Sequence, residues 1–214
     1  MRFLVTCPGG CSSILNQELK HLGFKPLDIF PTGAYVDGDL KDLYMLNLRC
    51  RVASKVFVQM GTWRAENFDQ LFEGMKECHR SQRIGKEANI TIHPVVYQSK
   101  LYALKSVQSS AHKAVLTALE IQEEINSDAT QKVEISIHVV RDQASAYLNT
   151  SGAGLHQRGY RTQQGEAPLK ENVAAALILS SGWRRGQLLV DPFCGSGTIC
   201  IEAALIASNI APGT

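Results

Sequence analysis

No apolar run in the 214 residues approaches the roughly 20 needed for a membrane-spanning helix. The first residues, Met1-Arg2-Phe3-Leu4-Val5-Thr6-Cys7-Pro8, hold too short an apolar stretch for a signal peptide and read as a strand. Neither sign of charge is in great excess: the formal net charge is +2, which by itself decides little. Cysteines are few and scattered, at 7, 11, 50, 78, 194 and 200. Only Cys7 and Cys11 lie close, and no second pair mirrors them, which argues against a zinc site. The expectation is reduced, mostly buried thiols in a cytoplasmic protein without a metal. What is present is the composition of a soluble globular protein, 44% hydrophobic and 20% charged, in a length that suits one large domain or two small ones.

Charge is distributed unevenly. Residues 49–113 hold eleven Lys or Arg against five Asp or Glu, while both flanks are net negative. A basic middle in a near-neutral chain is the footprint of phosphate contacts, and equally that of a solvated charged face.

Residues 2–7 read as a strand and Pro8-Gly9-Gly10 as a turn. Residues 12–22 read as a helix with Leu15, Leu19 and Leu22 on one face and Gly23 as its stop. Short strands over 26–30 and 34–37 flank the hairpin signal Pro31-Thr32-Gly33. Asp39 can cap a helix over 40–48, and Val52 to Met60 form the next strand. The order β-α-β-β-α-β over 1–60 is that of a ferredoxin-like unit. No catalytic grouping appears in it, and His21 reads as a surface helix residue.

Residues 61–150 run α-β-α-β-β. Phe68, Leu71, Phe72 and Met75 form a core stripe, and Ala88 to Tyr97 a strand whose Pro94 points to an edge or a bulge. Val107, Ala111, Ala114, Val115 and Ala118 mark a long amphipathic helix. Val133 to Val139 alternate as a half-buried strand, Arg141-Asp142-Gln143 turns it, and Ala144 to Leu148 returns. Lys100, Lys105 and Lys113 sit on or beside one helix start, where cations and backbone N–H groups suit phosphates. His112 could join them or simply cover the helix flank.

Residues 151–166, rich in Gly and Gln, read as a linker by composition. Within them Arg158 and Arg161 flank Tyr160. A guanidinium can hold a phosphate and a ring can stack on a base; alternatively Tyr160 packs and the arginines pair with acids. Asn172 to Leu179 form an apolar helix with Pro168 near its start.

The most specific stretch is Leu188-Leu189-Val190-Asp191-Pro192-Phe193-Cys194-Gly195-Ser196-Gly197-Thr198, running into an Ala-, Ile- and Leu-rich helix. Strand, glycine turn and helix build a nucleotide-type pocket in α/β folds. A phosphate-binding loop needs Lys after its last glycine, where Thr198 stands, and the dinucleotide fingerprint needs a third glycine, where Cys200 stands. A βα unit with no ligand is the plain alternative.

The string Asp191 to Thr198 resembles the first motif of S-adenosylmethionine-dependent methyltransferases that act on exocyclic amino groups of nucleobases. The tail Ile201 to Gly213 is similar to RNA guanine-N2 methyltransferases carrying a THUMP domain. Ser-Lys-Leu-Tyr before the long helix resembles a THUMP domain. Leu155-His-Gln-Arg-Gly-Tyr-Arg161 resembles the segment that joins that domain to the catalytic one. The resemblance implies an α+β architecture: a ferredoxin-like unit over 1–60, a THUMP domain over 61–150, a linker over 151–166, and the start of a Rossmann-like domain over 167–214. It implies S-adenosyl-L-methionine held by Asp191, Pro192, Cys194, Gly195, Ser196, Gly197 and Thr198, with Pro168 and Leu169 beside it. It implies structured RNA, ribosomal or transfer, as the partner, with Lys100, Lys105, Lys113, Arg158, Tyr160 and Arg161 as candidate contacts.

The family grips its target amino group with an Asn-Pro-Pro-aromatic motif, and no Asn-Pro occurs in this sequence. The expectation is therefore an N-terminal portion that transfers no methyl group alone, with no catalytic residue assigned. The rival expectations are a DNA amino-methyltransferase and a non-catalytic RNA-binding module.

Overall fold

In the computed structural model, which describes residues 1–80, 88–120, 131–161 and 168–213, the chain divides into two compact units. One comprises Met1–Phe57 with Thr150–Thr214, the other Val58–Asn149.

The first unit begins β1 (Arg2–Thr6), α1 (Ser12–His21), β2 (Pro26–Phe30), β3 (Gly33–Asp37), α2 (Leu40–Arg49) and β4 (Lys55–Arg64), the last of which runs on into the second unit. Its strands lie in the order β2-β3-β1-β4, the ferredoxin-like arrangement expected from the sequence. Antiparallel pairing sets Phe3 opposite Val36 and Val5 opposite Ala34, and all four are fully buried. Leu15 and Leu19 of α1, four residues apart and therefore on one face, are fully buried as well. Asp39 caps α2 as its position suggested. Its carboxylate accepts from the N–H of Lys41 at 2.8 Å and of Asp42 at 3.0 Å, and Asp42 returns a bond to the Asp39 N–H at 2.8 Å.

One half-buried acid fixes the chain between α2 and β4. The Glu18 carboxylate of α1 accepts from the Arg51 N–H at 2.7 Å, the Val52 N–H at 2.9 Å and the Cys50 thiol at 3.1 Å. Burial pushes its carboxyl above the ordinary range, and these donors offset part of that rise.

Residues 150–161, linker-like in composition, are tied to this unit. Thr150 N–H donates to Val56 O at 3.0 Å and Leu155 N–H to Ser54 O at 2.8 Å. Two helices follow, α5 (Glu171–Ser181) and α6 (Thr198–Ala207), and they pack on each other. Asn172, fully buried in the first turn of α5, donates to Ser54 Oγ at 3.1 Å.

Between these helices the structure departs from expectation. Residues 188–190 form no strand, and Leu188 and Val190 are 89% and 72% exposed. A strand exists through its hydrogen-bonded neighbours, and none of the described strands pairs with this triplet.

The second unit adds α3 (Phe68–Arg80), β5 (Ala88–Tyr97), α4 (Leu104–Leu119), β6 (Gln131–Val140) and β7 (Gln143–Asn149). Its strands follow the order β4-β7-β6-β5, with β5 parallel to β6 and β7 antiparallel to it. The parallel pair is joined through α4, as a crossover connection requires. Pro94, which has no N–H to donate, lies on β5 at the end of this order, an edge, which was one of the two placements the sequence left open. The Trp63 indole lies against α3 at Gly74, where a Cβ would collide with it.

Among the described residues no helix is long and apolar enough to cross a membrane. Cys7 and Cys50 are buried, Cys11 and Cys78 are half-buried, and Cys194 and Cys200 are exposed. The expectation of mostly buried thiols therefore fails at the glycine turn and on α6, where both exposed cysteines lie.

Candidate cofactor turn and its supporting strap

The glycine turn leads directly into α6. Asp191 Oδ1 accepts from the Phe193 N–H at 3.2 Å, and Gly197 N–H donates to Cys194 O at 2.7 Å. Gly195 and Gly197 have φ of 53° and 75°, left-handed values that a side chain would strain. A Cβ placed on either would meet nothing within 4 Å, so open space lies above both. Gly197 is the N-cap of α6 and supplies no side-chain cap. The first N–H groups of the helix thus remain available to an acceptor. Ser196 Oγ and Thr198 Oγ1 stand 3.2 Å apart at its lip. Pro192, Cys194 and Ser196 are exposed and Thr198 is buried.

Leu169 is connected to this turn by a residue the sequence offered as an RNA contact. Arg161 Nη2 donates to Leu169 O at 2.9 Å and to Thr198 Oγ1 at 2.9 Å, and it lies 3.6 Å from Glu171 Oε1. Its side chain is 14% exposed. Arg161, Pro168, Lys170 and Glu171 share in lining a recess of about 470 Å³.

Arg158 and Tyr160 also turn inward. Arg158 pairs with Glu202 of α6, the two side chains being 1% and 0% exposed, and it also donates to Arg51 O. Tyr160 Oη donates to the other Glu202 oxygen at 2.9 Å. Burial pushes the Glu202 carboxyl above its ordinary range, and Arg158 and Tyr160 offset part of that rise. Burial and the Glu202 charge together push the Tyr160 hydroxyl up. Arg51 closes the far end of α6, donating to Ile210 O at 2.6 Å, a cation placed where the helix dipole favours one. Burial lowers the Arg51 guanidinium from its ordinary value. The alternative in which Tyr160 packs and the arginines pair with acids is the geometry found. The Arg158 guanidinium and the Tyr160 hydroxyl are thus engaged inside the unit.

The remaining predicted contacts lie in the second unit. Lys100 pairs with Glu66, which also pairs with Arg64. These bonds hold the Glu66 carboxyl below its ordinary range, the Lys100 contact first among them. Asp142 Oδ1 accepts from Ser99 Oγ at 2.9 Å and the Lys100 N–H at 2.8 Å, and it too is lowered, chiefly by the Lys100 bond. Lys105 and Lys113 are exposed on α4. Eight helical residues separate them by about 12 Å along the axis and about 80° around it. His112 is half-buried on the helix flank beside Ile90 and Ile92, the plain reading.

Sequence reasoning missed Glu202, Arg51 and Glu18. The signal for Glu202 was present: one acid in the otherwise apolar run Ile199-Cys200-Ile201-Glu202-Ala203-Ala204 requires a partner if that face is buried.

Comparison with known proteins adds to this geometry. Residues 158–214 match the model described as "RMKL-like, methyltransferase domain", and residues 2–57 match "RlmL ferredoxin-like domain". The chain is 38% identical, over 98% of its length, to "Putative RNA methyltransferase YpsC" of Bacillus subtilis. Over its whole length it is 34% identical to "Ribosomal RNA large subunit methyltransferase K/L" of Syntrophotalea carbinolica. The chain spans 55% of the first relative and 31% of the second. A crystal structure from Listeria monocytogenes, named "predicted N6-adenine-specific DNA methylase", superposes with a TM-score of 0.89 at 35% identity, over 99% of this chain and 56% of that one. A second, named "SMU.472, a putative methyltransferase complexed with SAH", gives 0.87 at 32% identity, over 99% of this chain and 57% of that one.

Proposed function

We propose, for a chain that belongs over residues 2–57 and 158–214 to the RlmL-type methyltransferase family, that it serves S-adenosylmethionine-dependent methylation of structured RNA. The target is an exocyclic amino group, guanine N2, in large-subunit ribosomal RNA. The observation that carries this reading is the open, uncapped Gly195–Gly197 turn, tied through Arg161 to Leu169.

The residues of the turn fit the methionine end of such a cofactor. Gly195 and Gly197 let the backbone approach a ligand without a side chain between. The α6 N–H groups can receive a carboxylate. Asp191, Pro192, Cys194, Ser196 and Thr198 shape the rim, and Pro168 and Leu169 stand on the other side of the Arg161 bridge. When bound, the cofactor supplies an electrophilic methyl on a sulfonium. The chain's own residues bind and orient it. On the RNA side, Lys105 and Lys113 offer exposed cations that position a phosphate backbone without reading sequence. A paired guanine must leave its stack to bring its amino group to such a pocket.

Calorimetric titration with S-adenosylhomocysteine tests the cofactor reading. Binding that is lost in Gly197→Val supports it, and absence of binding overturns it. Supplying labelled S-adenosylmethionine to a full-length protein that carries this chain, and digesting the nucleic acid, identifies the base. Label in N2-methylguanosine supports the reading, whereas label in N6-methyladenosine moves the target to adenine. The name of the Listeria structure favours a second reading, a DNA amino-methyltransferase. Competition between RNA and DNA of equal length separates the two.

A further inference from the structure

Thr198 and Glu202 lie four residues apart on α6 and so share one face a turn apart. Arg161 meets the first and Arg158 the second. A four-residue strap with no regular secondary structure thus grips one helix at two successive turns. The rest of α6 says little about its own rotation. Its side chains are Ile, Cys, Ala and Leu, and apolar residues of this kind pack on almost any side.

The polar pins therefore set the angle at which the glycine turn meets its ligand. With Cα atoms about 2.3 Å from the axis, a rotation of about 20° moves the first turn by about 0.8 Å. A displacement on the order of 1 Å is enough to harm a positioned group.

We infer that the strap 158–161 is a positioning device for the cofactor turn. Arg161 holds the turn against Leu169, and Arg158 with Tyr160 fixes the rotation of α6 through Glu202. Arg161 is then a positioning residue that acts through Thr198. The inference rests on the proposal that this turn binds S-adenosylmethionine. The strap is internal to the first unit and needs no nucleic acid.

The test uses the chain with Arg161→Gln, Thr198→Val and the double variant. Three quantities are read: S-adenosylhomocysteine affinity, the urea midpoint of unfolding, and amide exchange at residues 198–200 without ligand. Arg161→Gln should weaken the ligand about tenfold and speed exchange at 198–200, beside any midpoint shift that comes from leaving the buried Glu171 without this cation. The double variant should bind no worse than Thr198→Val alone, because partners in one contact are not additive. Additive losses, or a midpoint shift with unchanged exchange and affinity, would overturn the inference. If the wild-type chain binds no S-adenosylhomocysteine, exchange decides alone. Faster exchange in Arg161→Gln keeps the strap and removes the cofactor proposal, and unchanged exchange removes both.

Discussion

Two clusters of cations, alike in sequence, have opposite fates. Arg158 and Arg161, with Tyr160 between them, looked as suited to phosphate and base as Lys100, Lys105 and Lys113 did. In the structure the strap arginines face inward and pair with Glu202, Thr198 and Glu171. Of the three lysines, Lys105 and Lys113 stand in solvent, and Lys100 pairs with Glu66 at a site 63% and 28% exposed. The difference lies in what each cation faces. The strap runs beside an apolar helix with one buried acid, and a buried acid needs a partner. Lys100 precedes, and Lys105 and Lys113 lie on, a helix whose buried face is already filled by Val107, Ala111, Ala114 and Val115, so their charges remain outside.

Breaking the buried side of this contrast should have the largest effect. Glu202→Gln leaves Arg158 buried without its counter-charge, and urea unfolding should show a loss of about 3–5 kcal/mol. Arg158→Met should cost about as much for the converse reason. Replacing both partners by Met should recover a large part of the loss, because a matched apolar pair carries no stranded charge. If the single variants unfold at the wild-type midpoint, the contrast between the clusters collapses.

The exposed side should respond in binding and leave the fold alone. Lys105→Ala and Lys113→Ala should leave the thermal midpoint in place. If each lysine meets one phosphate, each change should reduce the steepness of the salt dependence of RNA binding by about 0.7–0.9. Fluorescence anisotropy across a potassium chloride series measures this.

A smaller effect sharpens the contrast through pH. Glu66 and Asp142 are held below their ordinary ranges in the folded state, both chiefly by bonds to Lys100. Between the folded and the unfolded values the unfolded chain binds more protons, so stability rises with pH across that window. Their contribution is complete above the ordinary carboxylate range, about pH 4, and is lost as pH falls through the folded values. The Lys100 amide, which donates to Asp142, should shift in an NMR titration below about pH 4. Asp142→Asn should abolish that shift.

The ferredoxin-like half was legible because its signals are local. Asp39 three residues before Asp42 writes a capping box, and the four-residue spacing of Leu15 and Leu19 writes a buried helix face. Gly195 and Gly197 likewise announced a turn at a helix start. The strand expected over 188–190 and the inward strap were not legible. Strand formation depends on neighbours, which three apolar residues do not specify. The strap depends on a contact between residues 158 and 202, and only the lone acid of α6 hints at it.

The most direct measurement is the affinity of fluorescent structured RNA across a salt series for three proteins: wild type, Lys100→Ala/Lys105→Ala/Lys113→Ala, and Arg161→Gln. The outward lysines and inward arginine predict that the triple variant binds weakly with a shallow salt dependence, while Arg161→Gln follows the wild type. The reverse result, with RNA lost in Arg161→Gln and kept in the triple variant, would contradict it and make the strap an RNA-contacting surface.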